Sequence, residues 1–340
     1  MSFGSIVAEY LKLARSFNMA LTGVAPVLAA LAMGETNLLR LVMFFLVGVG
    51  AHIYGFVLND YMDMRIDKLS TELSQRPLLS GTVTPNKALG FALGGLTMML
   101  VFGYLLVYGH PRVVVVLIIA AVLATIYNLI SKHLPGMDIF VAGAVLFLCI
   151  FGAAAVAGDP MDISRFGWIV CSLGGLQVMF MNIVAGGLKD IDHDSRGGGN
   201  TLAVALGCKV KGKKDKLTIT AAFRALAYLI QLIFLLFLFS PFLMGLFAVN
   251  ALYPLLLVVI LALISAVMIW ASYKIMNQPT FVRGEMRKYI GIHYMLNYLL
   301  TPIMMSAYNP WILLTTLVFP VGFLLSNRIL AGEALKAKTM

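Results

Sequence analysis

Six of the fifteen Asp and Glu residues in this 340-residue chain lie in two short segments. The first reads Asn59-Asp60-Tyr-Met-Asp63-Met-Arg65-Ile-Asp67, and the second reads Lys189-Asp190-Ile-Asp192-His-Asp194-Ser-Arg196. On a helix, residues three and four apart share a face, so Asp60, Asp63 and Asp67 align and Asn59 joins Asp63. Asp190 and Asp194 share a face in the same way, whereas Asp192 points elsewhere. Three carboxylates on one face repel one another, and they gain less relief at the mouth of a membrane cavity than on a free surface. A divalent cation removes that conflict. Oxygen donors without Cys or a convincing His set favour a hard ion, and Mg²⁺ takes one or two carboxylates together with substrate phosphates. Two such clusters facing each other would hold two Mg²⁺ ions with a diphosphate between them. Arg65, Arg76, Lys132, Lys189 and Arg196 are close enough in sequence to pair with phosphate oxygens. Solvated helix ends are the competing account, and the occurrence of both clusters at span ends on one side argues against it.

The elements that must position these residues follow from composition. The chain is 61% apolar and 12% charged, against roughly 25% charged in an ordinary soluble domain, and its mean hydropathy is +0.93. A soluble globule is excluded. A spanning helix needs about 20 mostly apolar residues. Spans are predicted at Phe17 to Met33, Leu39 to Leu58, Ala88 to Tyr108, Val113 to Ile130, Ile139 to Ala157, Phe166 to Ala185, Ala221 to Phe239, Ala251 to Tyr273, Ile290 to Ala307 and Trp311 to Leu325. The expected fold is all-α, a single polytopic membrane domain over residues 1–340 with nine or ten transmembrane helices around a central cavity. Asn309 and Pro310 leave open whether the last stretch is a tenth span or an interfacial helix.

With Met1 placed inside, 22 of the 25 Lys and Arg residues fall on one side of the membrane, and only Arg40, Arg112 and Arg165 on the other. This positive-inside bias predicts an integral membrane protein whose two acidic clusters face the cytoplasm, in long loops about 59–87 and 186–220. The net charge of +10 is then a topology signal and gives no support to a nucleic-acid partner. Membrane lipids are the expected surroundings, and the run Lys209 to Lys216 reads as a loop facing lipid headgroups. Cys149, Cys171 and Cys208 have no CxxC spacing and form neither a disulfide framework nor a zinc site.

These motifs resemble those of the UbiA superfamily of intramembrane prenyltransferases. Asn59, Asp60, Asp63 and Asp67 match its NDxxDxxxD motif, and Arg76-Pro77-Leu78-Leu79-Ser80-Gly81 is similar to its RPLPSG segment with one change. Tyr127 and Lys132 match its Tyr followed by a basic residue. Lys189-Asp190 to Asp194 match its second aspartate motif, and Arg15 with Asn18 sits where the family has a polar pair entering the first span. The matches run in the family's order over most of the first 205 residues. The resemblance implies two Mg²⁺ ions held by Asp60, Asp63, Asp67, Asp190 and Asp194. It implies diphosphate contacts from Asn18, Asn59, Arg65, Arg76, Lys132 and Lys189. It also implies that an isoprenyl diphosphate donor passes its chain to a lipophilic acceptor, with Asp60, Asp63, Asp190, Asp194 and Tyr127 as the catalytic set. The chain departs from the family in its possible tenth span and in a longer loop after the second motif.

Breaking an allylic C–O bond leaves negative charge on diphosphate, which metal ions and basic side chains stabilise. The developing allylic cation needs a dry, aromatic wall. Tyr54, Phe56, Tyr127, Phe180 and Tyr294 are in or near spans that could supply it, and Tyr127 is favoured by its motif match. The acceptor preferred on sequence grounds is an aromatic quinone precursor of the 4-hydroxybenzoate or naphthoate type, with a prenylglyceryl phosphate of ether-lipid synthesis close behind. A CDP-alcohol phosphatidyltransferase is a minor alternative: of the DGxxAR and GxxxDxxxD runs it would need, the chain has the second half in Gly186, Asp190 and Asp194 but no Asp-Gly pair. A secondary transporter would place carboxylates near the bilayer midplane, whereas these six lie at span ends.

Overall fold

The computed structural model describes residues 3–68, 74–131, 134–197, 199–212, 215–247 and 252–331. Fourteen α-helices follow in order: α1 Phe3–Leu13, α2 Met19–Ala32, α3 Leu38–Asp67, α4 Pro85–Leu106, α5 Pro111–Ile130, α6 Asp138–Ala157, α7 Arg165–Phe180, α8 Gly187–Lys189, α9 Ile191–Gly197, α10 Leu202–Ala205, α11 Ala221–Leu243, α12 Leu252–Met276, α13 Arg283–Met305 and α14 Val318–Ala331. The strands β1 Lys209–Lys211 and β2 Lys216–Thr218 form one antiparallel hairpin, with Val210 opposite Leu217. Sequence patterning shows no hint of this hairpin, because three-residue strands carry too little periodicity to read.

Among the described residues, eight helical stretches are long and apolar enough to cross a membrane, and α1 with α2 makes a ninth if the two count as one bent span. The protein is thus an integral membrane helical bundle, with a span count near nine. The predicted span at Ile290 to Ala307 forms α13, but it buries His293, Asn297 and Thr301 along one side. That polar content is why it falls outside the eight. The last stretch qualifies as Pro310–Leu330, its first part wound as a tight 3₁₀ helix over Pro310–Leu317.

Local sequence sets the helix ends. Pro85 opens α4 behind Thr84, where a missing N–H costs nothing. The Ser164 hydroxyl accepts from the Gly167 N–H at the start of α7, and Thr220 caps α11 through the Phe223 N–H.

The helices fall into two compact units. The first comprises Met1–Leu129, Phe147–Ile163 and Leu317–Met340. Its spine is α3, whose 30 residues extend about 45 Å, well beyond the roughly 30 Å of a bilayer's apolar core. The excess carries Asn59 to Asp67 past the apolar stretch. α3 is gripped closely on two sides: a Cβ at Gly48 would lie 2.4 Å from the Thr22 carbonyl oxygen of α2, and one at Gly50 would lie 2.6 Å from that of Gly95 on α4. Only glycine permits such backbone approach. The second unit comprises Ile130–Leu146 and Ser164–Thr316. Its core gathers Phe180, Leu188, Ile191, Phe223, Met286 and Ile290 with Val210 and Leu217 of the hairpin.

Candidate active site

In the first unit, Asp60 and Asp63 lie three residues apart on α3, only 6% and 9% exposed. Burying ionised carboxylates requires partners. Asp60 Oδ1 accepts from Arg15 Nη2 at 2.6 Å and from Arg76 Nη1 at 3.4 Å. Arg15 also stands over the Phe56 ring, 5.2 Å from its centroid. Asn59 is half-buried beside them on α3. Arg65 and Asp67 are on the same helix, with side chains outside the described residues.

Arg15 reaches Asp60 because the chain breaks there. α1 and α2 meet at 64°, and Arg15 takes the left-handed conformation at φ 47°, ψ 52°, unusual for any residue but glycine. The carbonyl exposed at Ala14 accepts from His52 Nε2 at 2.8 Å, which leaves His52 Nδ1 to accept from the Thr22 hydroxyl. His52 is 1% exposed, and with both ring nitrogens engaged it braces the break. Asn18 lies at the start of α2, its side-chain oxygen buried without a partner.

Arg76 is held by the turn its own segment forms. The N–H groups of Leu79 and Ser80 both donate to the Arg76 carbonyl, Val83 N–H donates to the Pro77 carbonyl, and Gly81 takes φ +77°. Leu78 and Val83 anchor the turn in a core shared with Leu13, Tyr54 and Val57. Thr82 donates to Glu9 of α1 at 2.9 Å. Tyr127 is half-buried near the end of α5. Its neighbour Asn128 donates to the Gly55 carbonyl of α3 at 3.1 Å, and Tyr54 and Thr125 share a hydroxyl bond at 2.6 Å. These two bonds fix the end of α5 to the stretch of α3 just before Asn59.

In the second unit, α7 passes through a π-helical stretch at Met181–Gly186 into α8 and α9. Such widened turns recur at functional sites. Lys189 ends α8 with Nζ 3.6 Å from Asp190 Oδ2. Asp194 N–H donates to the Asp190 carbonyl at 3.0 Å, so Asp190, the residue just ahead of α9, and Asp194 within it are joined across one turn. A Cβ at Gly199 would lie 3.1 Å from Asp194 Oδ1. Asp192 turns away and accepts from Arg283 Nη2 of α13 at 2.9 Å. Lys132 lies outside the described residues, as do the side chains of His193 and Arg196. Phe180 stacks on His293, with ring centroids 4.1 Å apart.

Among the described residues, no three His, Cys, Asp or Glu side chains gather closely enough to hold a metal by themselves. Pairs of carboxylates do fit Mg²⁺, which completes its shell with phosphate oxygens and water. The donor set is oxygen throughout, and guanidinium groups already lie against Asp60 where an anion would bring its own charge. The residues that sequence reasoning left without a role are Arg15 as the partner of Asp60, and the Asp192–Arg283 pair. Arg15 was legible as a cation just ahead of the first span. Arg283 carried no signal beyond its side of the membrane.

Comparison with known proteins follows the same lines. The model of the UbiA prenyltransferase family matches residues 19–282. A digeranylgeranylglyceryl phosphate synthase of Ignicoccus hospitalis is 29% identical over 225 residues, covering 65% of this chain and 71% of that protein. A 4-hydroxybenzoate octaprenyltransferase of Colwellia psychrerythraea is 28% identical over 126 residues, covering 37% of this chain and less than half, 43%, of that protein. Among solved structures, a UbiA homolog from Archaeoglobus fulgidus bound to GPP and Mg²⁺ superposes with a TM-score of 0.60 at 16% identity, covering 88% of this chain and 99% of that one.

Proposed function

We propose, from the premise that this chain belongs to the UbiA prenyltransferase family, that it is a Mg²⁺-dependent intramembrane enzyme moving an isoprenyl chain from its diphosphate to a prenylglyceryl phosphate. The observation that carries the reading is the buried Asp60–Asp63 pair flanked by Arg15 and Arg76. For the acceptor, support comes from the breadth of the match to the glyceryl phosphate synthase, 225 residues against 126 for the 4-hydroxybenzoate enzyme. The aromatic acceptor preferred on sequence grounds stands second, favoured by that narrower similarity.

Bound Mg²⁺, one ion on each aspartate motif, would screen the diphosphate and stabilise it as it leaves. Asp60, Asp63 and Asp67 would hold one ion, and Asp190 and Asp194 the other. Arg15 and Arg76 present planar forks of N–H donors suited to phosphate oxygens, and the family resemblance assigns Lys189 to the diphosphate as well. Asn18, Asn59, Arg65 and Lys132 are assigned to the diphosphate by the family resemblance alone. The allylic C–O bond breaks, its electron pair departs with diphosphate, and the allylic carbon bonds to the acceptor's hydroxyl oxygen, whose proton passes to the released diphosphate or to water. Tyr127 offers an aromatic face to the cation, held in place by the Asn128–Gly55 bond. The 22-to-3 distribution of basic residues supports a site on the cytoplasmic side.

The test is incubation of the purified protein with labelled isoprenyl diphosphates of several lengths and three acceptors: a prenylglyceryl phosphate, 4-hydroxybenzoate and dihydroxynaphthoate. Mg²⁺-dependent ether product with the first is the expected result. Product with an aromatic acid alone moves the assignment to the second reading, and diphosphate release independent of any acceptor refutes both.

A further inference from the structure

The second aspartate motif sits on a helix too short to orient itself. α9 has seven residues, below the length at which an isolated helix holds together in water, and it ends in the glycine run Gly197 to Gly199 of the sequence. Its direction and its rotation about its own axis must therefore be imposed by what touches it. Successive helical residues are about 100° apart, so within α9 Asp192 lies roughly 200° around from Asp194, and Asp190 leads directly into the helix. A tether on Asp192 thus sets where Asp190 and Asp194 point without occupying them.

Arg283 provides that tether. Its Nη2 donates to Asp192 Oδ1 at 2.9 Å, across 91 residues of sequence, and the two side chains are only 15% and 19% exposed. Helix electrostatics gives no reason for a cation here: Arg283 is the first residue of α13, where the helix dipole disfavours positive charge. Nor is its backbone loose. Phe281 N–H donates to the Asp215 carbonyl at 2.8 Å, Leu217 N–H donates to the Pro279 carbonyl at 3.2 Å, and Lys216 bridges to Thr280. The segment leading into α13 is thereby bonded to the β1–β2 hairpin at residues 215–217, and β1 packs against α9. The hairpin is a frame holding both ends of the tether. Arg283 also stands one residue beyond the stretch that the family model matches.

We infer that Arg283 is a positioning residue: through Asp192 it fixes the rotation of α9 and so aims Asp190 and Asp194 at their metal ion. This rests on the reading of those two aspartates as metal ligands. Groups that orient ligands from behind typically change metal affinity 10- to 100-fold when removed. The test uses the full chain in detergent or nanodiscs, titrated with Mn²⁺ in the presence of inorganic diphosphate, with free ion followed by electron paramagnetic resonance and unfolding followed in parallel. Arg283→Ala and Asp192→Ala are each expected to weaken Mn²⁺ binding about tenfold, and the exchange Asp192→Arg with Arg283→Asp to restore it. Arg283→Lys keeps the charge without the planar fork and supplies the measurement if Arg283→Ala does not fold. A merely structural pair would regain thermal stability on exchange with Mn²⁺ affinity never having moved, and that result overturns the inference. Asp190→Ala separates the two claims. If it weakens binding while Arg283→Ala, Arg283→Lys and Asp192→Ala do not, the positioning role fails and the metal reading stands. If Asp190→Ala leaves binding unchanged, the metal reading fails and the inference with it.

Discussion

Removing the Asp60 side chain should uncouple stability from catalysis in a way that depends on Arg15. Both guanidinium groups reach the same oxygen, Arg15 at 2.6 Å and Arg76 at 3.4 Å, so the two nitrogens are at most about 6 Å apart. Two unit charges at that separation repel by about 3 kcal/mol at an effective dielectric constant of 20. Asp60→Ala exposes that repulsion and removes the carboxylate shared by two cations that are only 17% and 20% exposed. The variant should insert into membranes yet unfold at a clearly lower temperature in detergent without Mg²⁺. Asp60→Asn keeps an acceptor oxygen and should lose less. Adding Arg15→Gln to Asp60→Ala removes one of the two charges and should recover most of the loss. Prenyl transfer follows another rule: with a carboxylate gone, kcat/KM should fall by at least about 10²–10³-fold in Asp60→Ala and stay down in the double variant. The assay pair is thermal unfolding by intrinsic fluorescence and product formation from labelled donor. An Asp60→Ala protein that melts at the wild-type temperature, or one not rescued by Arg15→Gln, would refute the reasoning.

Asp190→Ala should abolish Mg²⁺-dependent transfer with a smaller loss of stability than Asp60→Ala, because the Asp190 side chain is 44% exposed; the same two assays decide it. Gly48→Ala should destabilise by about 1–3 kcal/mol through overpacking against the Thr22 carbonyl. Gly90→Ala on α4, where the added methyl meets open space, should be neutral or stabilising by up to about 1 kcal/mol, as unfolding curves would show. Glu35, between α2 and α3, is pushed upward by burial, but the Asn37 N–H, the Arg40 guanidinium and the Thr36 N–H outweigh that and hold its carboxyl below the usual 4.5. A lowered folded-state value means its stabilisation is present above about pH 4.5 and is lost as the pH falls through the folded-state value. The wild type should therefore lose melting temperature more steeply below that pH than Glu35→Gln.

The long helices were legible because a spanning segment must be apolar throughout, and Leu39 to Leu58 or Val113 to Ile130 can hardly be read otherwise. Asp60 with Asp63, and Asp190 with Asp194, were legible because helical spacing alone decides which side chains share a face. The break at Arg15 was not legible: a non-glycine residue in the left-handed region leaves no local signature, and what sustains it, His52 and Asp60, is contributed from α3. The same holds for Asp192. Spacing turned it away from its neighbours, but its partner is 91 residues on, and the backbone bonds that tie residues 279–281 to the hairpin and so set Arg283 have no counterpart in hydropathy. The polar side of α13 was hidden within a segment whose average is still apolar.

Arg15 answers two incompatible demands. Its backbone conformation suits glycine, and its side chain must be a long cation able to cross to Asp60. Replacement by glycine would relax the chain and empty the site, while any other residue would keep the strain and lose the fork. The guanidinium is also rooted at the joint between α1 and α2, so whatever draws it off Asp60 applies its torque at the pivot. The electrostatics of one carboxylate and the direction of the N-terminal helix are mechanically one degree of freedom.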